Sequence, residues 1–341
     1  MFTEDRLVKS LVRALDFKGG GRNTAKLRLG IGDDAAIIPS WNRHDWVVSC
    51  DAFLEGVHFL AHTDPPDSVG YKSLVRATSD LAAMGAFPRF FFLTLALSDR
   101  CTGKWFDRFL KGMGRASRQM KIQIAGGDTT RDSKVFISIT VVGEVGEGRA
   151  ITRSGARPGD LIFVTGRLGR AALGLELIQR GCGSNKSIRK LLEPHFYPRI
   201  QLELGAWLAR HRVASSMMDV SDGLSTDLSR LCAASRVGAR VHAEQIPVAK
   251  VSAAQSRVLH KLSIDLLQLA LHGGDDYELL FTVPQRLVAG LRRAPNYSEI
   301  TQIGEIVSGS GISLVKADGQ AHRLKPLGWD SFRKLPSKKS R

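Results

Sequence analysis

Gly30-Ile31-Gly32-Asp33-Asp34-Ala35-Ala36 is the stretch that decides the fold of this chain of 341 residues. Its two adjacent carboxylates lie between glycines and alanines, so little side chain surrounds them and the backbone can approach a ligand closely. Such an arrangement suits a metal ion held over a phosphate group. A turn explains the same residues when the stretch is taken alone, because Gly-Asp-Asp is common turn chemistry. The choice depends on whether similar acids occur elsewhere in the chain.

Acidic residues beside glycine or serine recur along the chain, mostly at predicted strand ends. The full set is Asp33, Asp34, Asp51, Asp80, Asp128, Asp219, Asp222, Asp275 and Asp276. No cluster of histidine or cysteine accompanies them, so a bound metal would be a hard, oxygen-bound cation such as Mg²⁺, shared with the phosphates of a substrate. This is the chemistry of phosphoryl transfer, in which positioning and charge neutralisation supply most of the catalysis.

Other phosphate-binding and hydrolytic motifs are absent from the sequence. Neither the Walker pattern GxxxxGK[ST] nor the dinucleotide pattern GxGxxG occurs, which excludes P-loop and Rossmann mechanisms. A serine hydrolase would need a nucleophile elbow, and a retaining glycosidase would need two carboxylates rather than many. Two of the acids keep alternatives. Asp80 can form a surface ion pair with Arg76 four residues earlier, whereas helix capping explains only one of Asp219 and Asp222.

The composition is that of a globular protein with two hydrophobic cores. Hydrophobic residues make up 43% of the chain, and its length is sufficient for two domains. Four cysteines lie far apart without a CxxC pair, which disfavours a zinc site and a disulfide framework. Residues 1–17 predict an amphipathic helix rather than a signal peptide, and no apolar stretch reaches the roughly 18 residues of a membrane span. We therefore expect a cytoplasmic protein without a membrane partner.

The formal net charge of +16 raises the possibility of nucleic-acid binding. The basic residues are scattered over predicted helices and concentrate only in the tail at residues 333–341. No helix-turn-helix, RNA-binding signature or base-stacking aromatic run accompanies them. We expect no specific nucleic-acid partner, and a polyanionic small substrate would benefit from the same positive field.

The predicted elements of the first half alternate as β-β-α-β-α-β. After a strand into Gly30, they are strands at residues 46–51, 89–97, 121–125 and 135–145, a helix from Asp67 or Ser68 to about Met84, and a helix at 104–119. This order predicts an α/β fold of α+β layers, with helices on one face of a mixed sheet. Residues 153–160 mark the crossing into a second unit, which begins with a strand at 161–164 and a helix at 170–179.

Seven motifs together resemble the motif series of the thiamine-monophosphate kinase family, in the family's order and over about residues 29–329. They are Gly30-Ile31-Gly32-Asp33-Asp34-Ala35-Ala36, Gly56-Val57-His58-Phe59, Ser79-Asp80-Leu81-Ala82-Ala83-Met84-Gly85-Ala86, Gly126-Gly127-Asp128-Thr129-Thr130, Arg153-Ser154-Gly155-Ala156-Arg157-Pro158-Gly159-Asp160, Asp219-Val220-Ser221-Asp222-Gly223-Leu224 and Gly274-Asp275-Asp276-Tyr277-Glu278-Leu279. The family is related to aminoimidazole ribonucleotide synthetase, selenophosphate synthetase and a hydrogenase-maturation protein.

The resemblance implies a two-domain fold and a reaction. Residues 1–148 would form an N-terminal α/β domain that binds ATP and Mg²⁺, and whose mixed sheet pairs with that of a second subunit into a barrel. Residues 149–341 would form a C-terminal α/β domain that closes over nucleotide and substrate. The implied reaction is the direct in-line transfer of phosphate from ATP to thiamine monophosphate, giving thiamine diphosphate in a homodimer.

The resemblance also implies roles for individual residues. The catalytic acids would be Asp34, Asp51, Asp80, Asp128 and Asp222. Several Mg²⁺ ions would be held by Asp34, Ser49, Cys50, Asp51, Asp80, Asp128, Asp219 and Asp222. ATP would be held by Gly127, Asp128, Arg153 and Ser221, and thiamine monophosphate would be contacted by His58, Asp275 and Trp329.

Two positions depart from the family pattern. Cys50 replaces a threonine, which leaves a backbone carbonyl as the available ligand there, and Asp275 replaces a glutamate that is one methylene longer. His58 and Trp329 can also be explained by packing alone. The alternative functions are another ATP-dependent enzyme of the same superfamily and, from a different class, a nucleic-acid-binding protein that uses the basic surface. Selenophosphate synthetase and the maturation protein are disfavoured because their reactive terminal cysteines are missing.

Overall fold

The computed structural model describes residues 27–40, 43–185 and 187–332. The predicted helix at residues 1–17, the basic loop at 18–26 and the basic tail at 333–341 lie outside these ranges. The described part of the chain contains one sheet of five strands and one of seven. None of its helices combines the length and the apolar character needed to cross a lipid bilayer.

The first sheet is mixed, as the sequence predicts. Its strands are β1 (Ala36–Pro39), β2 (His44–Leu54), β3 (Phe87–Leu97), β4 (Gln123–Arg131) and β5 (Phe136–Gly146), arranged in the order β1-β2-β5-β3-β4. Only the β3 and β4 pair is parallel. Buried and half-buried residues alternate along β5, so one face of the sheet is covered and the other is left open.

Helices α1 (Pro66–Ala83) and α2 (Lys104–Met120) cover one face of this sheet. The predicted capping of α1 by Asp67 or Ser68 is wrong, because the helix begins at Pro66 and the Ser68 hydroxyl donates to the carbonyl of Pro65 at 2.7 Å. Proline suits this first position since its missing N–H would have no partner there. Fourteen of the 18 residues of α1 are buried, so the helix is covered on more than one side.

The second sheet contains the remaining strands in the order β12-β11-β8-β10-β6-β9-β7. These are β6 (Leu161–Thr165), β7 (Ser216–Val220), β8 (Gly238–His242), β9 (Glu278–Val283), β10 (Ile300–Val307), β11 (Gly311–Val315) and β12 (Ala321–Arg323). The helices of this half are α3 (Arg170–Gln179), α4 (Glu193–Phe196), α5 (Leu202–His211), α6 (Leu224–Ser235), α7 (Ala253–Lys261) and α8 (Leu266–His272).

Several strand boundaries differ from the prediction in a way that moves the acids. β2 continues past Asp51 to Leu54, and β4 continues through Asp128 to Arg131. Both extensions occur because the neighbouring strands β5 and β3 keep pairing with them. Asp34, in turn, precedes β1 rather than following a strand. The expectation that these acids lie at strand ends is therefore wrong for Asp51 and Asp128.

One hydrophobic cluster joins the two halves of the molecule through α1. It includes Leu74 and Leu81 of α1, Phe109 of α2, Leu204 of α5 and Phe281 of β9. A second cluster fills the other side of the seven-stranded sheet under α6 and α8. The domain boundary at residue 148 stays a prediction.

Glycines let α1 approach two other helices at backbone distance. A methyl group on Gly70 of α1 would lie 2.1 Å from the carbonyl oxygen of Phe109, and one on Gly112 of α2 would lie 1.8 Å from that of Asp67. On the opposite side, a methyl group on Gly205 of α5 would lie 2.2 Å from the carbonyl oxygen of Ala82. These contacts fix α1, and with it Asp80, between α2 and α5.

His195 of α4 is a buried histidine whose Nδ1 atom has no hydrogen-bond partner. Burial lowers the pKa of His195 to about 3, and the nearby positive charge of Lys72 lowers it further than Asp275 raises it. The ring is therefore neutral in the folded protein at pH values where an unfolded chain would protonate it.

We expect Gly112→Ala to lower the free energy of unfolding by about 1–3 kcal/mol, because the added methyl group overlaps the α1 backbone. Gly114→Ala on the same helix is the matched control, since its methyl group meets only the flexible end of Arg118 at 3.3 Å. Urea unfolding would measure both. Equal effects of the two substitutions would contradict the close contact between α1 and α2.

We also expect the folded state to lose stability as the pH falls from about 6.5 towards 4, in part through His195. The unfolded chain takes up a proton near pH 6.5, whereas the folded chain resists protonation of this ring down to a pKa of about 3. His195→Gln should reduce that loss, and His260→Gln on the exposed side of α7 should not. The comparison needs unfolding free energies at pH 6.5 and 4.5. An unchanged acid sensitivity of His195→Gln would refute this assignment.

Candidate active site

Three carboxylates from separate elements meet at one point. Asp34 precedes β1, Asp80 lies in the last turn of α1, and Asp219 lies in β7; one oxygen atom of each lies within 4.8 Å of the others. Asp34 and Asp219 are buried and Asp80 is half-buried. Among the described residues, these three acids form the group that is close enough to share one cation. We call them the acidic cluster.

The acidic cluster carries unfavourable charge. Burial and the neighbouring charge of Asp34 raise the pKa of Asp219 to about 7. Burial, followed by the charges of Asp219, Asp34 and Asp51, raises the pKa of Asp80 well above its usual value. A bound cation would stabilise the ionised form of all three groups, because it supplies the positive charge that burial makes necessary.

Serine hydroxyls orient two members of the cluster. Ser49 of β2 donates a short hydrogen bond to Asp80 Oδ2. Ser79 donates to Asp219 Oδ2 at 2.5 Å. Each serine occupies one carboxylate oxygen and leaves the second oxygen of that acid available to a ligand. The predicted role of Ser49 at this site is thus matched by its position, whereas the sequence analysis assigned no role to Ser79.

The pair Asp33 and Asp34 divides its functions between a turn and the cluster. Asp33 accepts hydrogen bonds from the backbone N–H of Asp34 at 3.0 Å and of Arg153 at 3.0 Å. Arg153 also binds Asp34 Oδ1 through Nη2 at 2.6 Å and through Nε at 3.2 Å. The other oxygen, Asp34 Oδ2, is buried without a partner. An orphaned carboxylate oxygen between two further carboxylates fits a hard cation, so the residues present are suited to Mg²⁺.

A second polar group lies along α1, one turn apart and away from the cluster. Arg76 binds both oxygens of Asp51, through Nε at 2.5 Å and through Nη2 at 3.2 Å. Lys72 donates to Asp275 Oδ2 at 2.7 Å. The sequence allowed an ion pair between Arg76 and Asp80, but the structure pairs Arg76 with Asp51 instead. Sequence analysis assigned no role at the site to Lys72 or Arg76, although their spacing from Asp80 places all three on one helix face.

His58 and Asp275, both expected at the substrate, belong to this second polar group. Burial, followed by the positive charge of Arg76, lowers the pKa of His58 to about 4, and its Nδ1 accepts a hydrogen bond from the Leu54 N–H at 3.0 Å. Burial alone would raise the pKa of Asp275, but the charges of Lys72 and Arg76 hold it well below its usual value. His58 is therefore neutral and Asp275 ionised at neutral pH.

The turn at Ser221 and Asp222 connects the expected substrate residues. The Asp275 N–H donates to the Ser221 carbonyl at 2.8 Å, and the Trp329 N–H donates to the Asp222 carbonyl at 2.9 Å. The indole of Trp329 is 43% exposed. An anchored backbone with an exposed ring argues against a purely packing role and leaves the indole face available for stacking.

Asp222 lies beside the cluster but has its own partner, Arg230, whose Nη1 donates to Asp222 Oδ2 at 2.5 Å. Asp227 was missed by the sequence analysis. Its Oδ2 accepts the backbone N–H groups of Asp222 and Gly223 at 3.0 Å each, which fixes the turn before α6. An acid in the first turn of a predicted helix was the available signal.

Three expected site residues lie apart from the acidic cluster in this chain. The register places Asp128 beside Thr94 and Ser138, on the face of the sheet that the helices leave open. The Cys50 Sγ atom lies 3.5 Å from the Ser138 hydroxyl on that same face. Gly127 lies in the exposed β4 strand, where a methyl group would be 1.9 Å from the Leu93 carbonyl. Their expected roles are not supported by proximity to Asp34, Asp80 and Asp219.

The site therefore combines a cation-binding cluster, an arginine attached to it, and a second group with two cations and an exposed indole. Carboxylates that hold a hard cation and guanidinium groups that bind oxyanions are the usual components of sites for phosphorylated substrates. The cluster and the second group lie on successive turns of α1. A molecule that carries phosphate can contact both.

Comparison with known proteins agrees with this chemistry. Residues 32–145 match the family model "AIR synthase related protein, N-terminal domain", and residues 157–316 match "AIR synthase related protein, C-terminal domain". The chain is 37% identical over 311 residues to the thiamine-monophosphate kinase of Escherichia coli strain K12, covering 90% of this chain and 92% of that protein.

Two solved structures are similar over nearly the whole chain. The thiamine-monophosphate kinase of Stenotrophomonas maltophilia K279a is 35% identical with a TM-score of 0.72, covering 92% of this chain and 96% of its own. A structure described as "AaThiL complexed with AMPPCP and TMP" is 29% identical with a TM-score of 0.82 and covers 97% of each chain. The two-domain α/β fold expected from the motifs is confirmed, and the chain belongs to the thiamine-monophosphate kinase family.

Proposed function

We propose that this chain transfers the terminal phosphoryl group of ATP to thiamine monophosphate, giving thiamine diphosphate and ADP by direct in-line transfer. The observation that carries the proposal is the convergence of Asp34, Asp80 and Asp219 beside Arg153. The thiamine-monophosphate kinase relatives, and the similar structure described with AMPPCP and TMP, support the identity of the two substrates.

We assign Mg²⁺ to the acidic cluster, with Asp34, Asp80 and Asp219 as its ligands. Bound Mg²⁺ would neutralise phosphate oxygens and orient the transferred group. Further ions would draw on Asp51, Asp222 and, by analogy with the family, on Asp128, Ser49 and the Cys50 carbonyl. Arg76 already occupies both oxygens of Asp51, so Asp51 can serve a metal only if that ion pair opens.

The chain's own groups bind and orient the phosphates. Arg153 is held against Asp34 through Nε and Nη2, which leaves Nη1 of its guanidinium without a contact to Asp34 and free to act as a donor for a phosphate of ATP. We assign Ser221, Gly127 and Asp128 to the same nucleotide, as in the family. No general base is needed, since the acceptor is an ionised phosphate rather than a hydroxyl group.

The second polar group suits thiamine monophosphate. Neutral His58 and the exposed Trp329 ring supply surfaces for the aromatic rings, and a ring face attracts the thiazolium cation. Asp275 contributes negative charge, but Lys72 and Tyr277 occupy its two oxygens at 2.7 and 2.6 Å. With a side chain one methylene shorter than glutamate, Asp275 would reach the substrate through water or through these two partners.

Three coarser features complete the proposal. Residues 1–148 act as the dimerisation and nucleotide-binding domain, and residues 149–341 as the domain that closes over the substrates. The active form is a homodimer, supported by the exposed apolar side chains on the open face of the first sheet, including Phe90 and Phe92. The protein acts in the cytoplasm, with neither a membrane nor a nucleic acid as partner.

We expect the purified protein to convert thiamine monophosphate and ATP to thiamine diphosphate only when Mg²⁺ is present. Asp80→Asn should lower kcat by at least about 100-fold, because it removes charge that positions the transition state, and should weaken Mn²⁺ binding measured by electron paramagnetic resonance. Asp132→Asn, at an exposed loop position, is the control and should change neither quantity. Absence of turnover by the wild type, together with salt-sensitive RNA binding, would overturn the proposed function.

We expect light scattering at micromolar concentration to give the mass of a dimer. Phe92→Asp should shift the mass towards the monomer, because it places a charge on the open face of the sheet. Leu110→Asp is the matched control, since Leu110 of α2 has the same 44% exposure as Phe92 and lies on a helix outside the sheet. A monomeric wild type, or equal effects of both substitutions, would contradict the proposed interface.

A further inference from the structure

A pocket of about 440 Å³ lies between the two halves of the molecule, beside the candidate active site. Tyr71 of α1 and Arg115 of α2 line it from the first half. Arg167, Arg170 and Arg199 line it from the second half. The pocket includes Asp275 but none of the three acids of the acidic cluster. It is therefore a separate cavity that touches the proposed substrate region at one residue.

The four arginines of this pocket have no carboxylate partners among the described residues. The ion pairs of the described chain involve other arginines, such as Arg76, Arg153 and Arg230. Arg167 binds only a backbone carbonyl, that of Val248, at 3.0 Å. Four guanidinium groups around one cavity thus keep donors that a ligand can use.

The acids that line the pocket already have partners inside the protein. Asp276 accepts the backbone N–H groups of Gly169 at 2.5 Å and Ala171 at 3.1 Å. Glu278 accepts hydrogen bonds from the Thr165 hydroxyl at 2.5 Å and the Gln201 amide at 3.1 Å. The oxygens of Asp275 are taken by Lys72 and Tyr277. Among the lining acids, only the exposed Glu193 lacks such internal bonds, so the four arginines outweigh the free negative charge.

One arginine is held in place by aromatic rings. The guanidinium carbon of Arg115 lies 4.5 Å from the ring centroids of both Tyr71 and Tyr197. The Tyr197 hydroxyl is in turn bound to Asp67 Oδ2 at 2.6 Å. Ordering of this kind reduces the entropy that Arg115 loses when it binds an anion. Because Arg115 covers a face of each tyrosine, neither ring offers that face to a nucleobase.

We propose that this pocket binds a small polyanion with two or more phosphate groups, at a site separate from the reacting phosphates. Guanidinium groups recognise phosphate through paired, charge-assisted hydrogen bonds, and several of them together favour adjacent phosphates over a single one. The volume lies within the range of small-ligand sites. Since the arginines come from both halves, the bound polyanion bridges α2 and the start of α3. This site is independent of the proposed kinase reaction.

The test is calorimetric titration of the full chain with inorganic pyrophosphate and tripolyphosphate in EDTA, where no divalent cation can direct the probe to the acidic cluster. We expect saturable binding of one probe molecule per chain. The double variant Arg170→Gln with Arg199→Gln should weaken it by at least about tenfold, because two charge-assisted hydrogen-bonding groups are lost. Both side chains are exposed, and neither forms an ion pair with the described residues.

Two control variants separate this site from the alternatives. Arg292→Gln with Arg293→Gln removes the same charge from an exposed segment outside the pocket and should leave the affinity unchanged. Arg153→Gln removes the arginine of the candidate active site and should also leave it unchanged. Equal weakening by both double variants would show diffuse attraction to a basic surface, and weakening only by Arg153→Gln would place the anion at the reaction centre. Either result, or no binding by the wild type, overturns the proposal.

Discussion

The close packing of α1 against α2 on one side and α5 on the other is the constraint on which the rest of the structure depends. Gly70, Gly112 and Gly205 bring the three backbones together at distances that no side chain would permit. The same helix carries Lys72, Arg76 and Asp80 on successive turns. Because α1 is fixed against both halves, its polar face is fixed relative to β2 and to β7. The candidate active site is a consequence of helix packing.

This packing has an electrostatic cost that defines the site. Asp34, Asp80 and Asp219 are brought together in a buried region, where their mutual repulsion and poor solvation raise their pKa values. Arg153 offsets part of that cost at Asp34, and two serines orient the other acids. The remaining uncompensated charge is what a Mg²⁺ ion bound with phosphate would satisfy. The same distribution leaves arginines without partners in the neighbouring pocket, where a polyanion can bind.

The sequence predicted the elements well because their patterns are local. The mixed first sheet, the order of strands and helices, and helix α3 at its observed boundaries all follow from periodicity and turn residues. Strand ends at Asp51 and Asp128 were predicted wrongly, because strand length depends on pairing with β5 and β3, which lie far away in the sequence. The capping of α1 failed for a local reason, since Pro66 starts the helix before the expected cap.

The sequence by itself determined the chemistry: acids beside glycines without histidine or cysteine partners require a hard cation, and the order of the motifs indicates the family. Tertiary structure decided which acids act together. It separated Asp34 from its neighbour Asp33, placed Asp128 and Cys50 on the open face of the sheet, and gave Arg76 to Asp51 rather than to Asp80. The reason is physical: residue type fixes what a side chain can bind, whereas contacts between distant segments fix which side chains share one buried volume and one electric field.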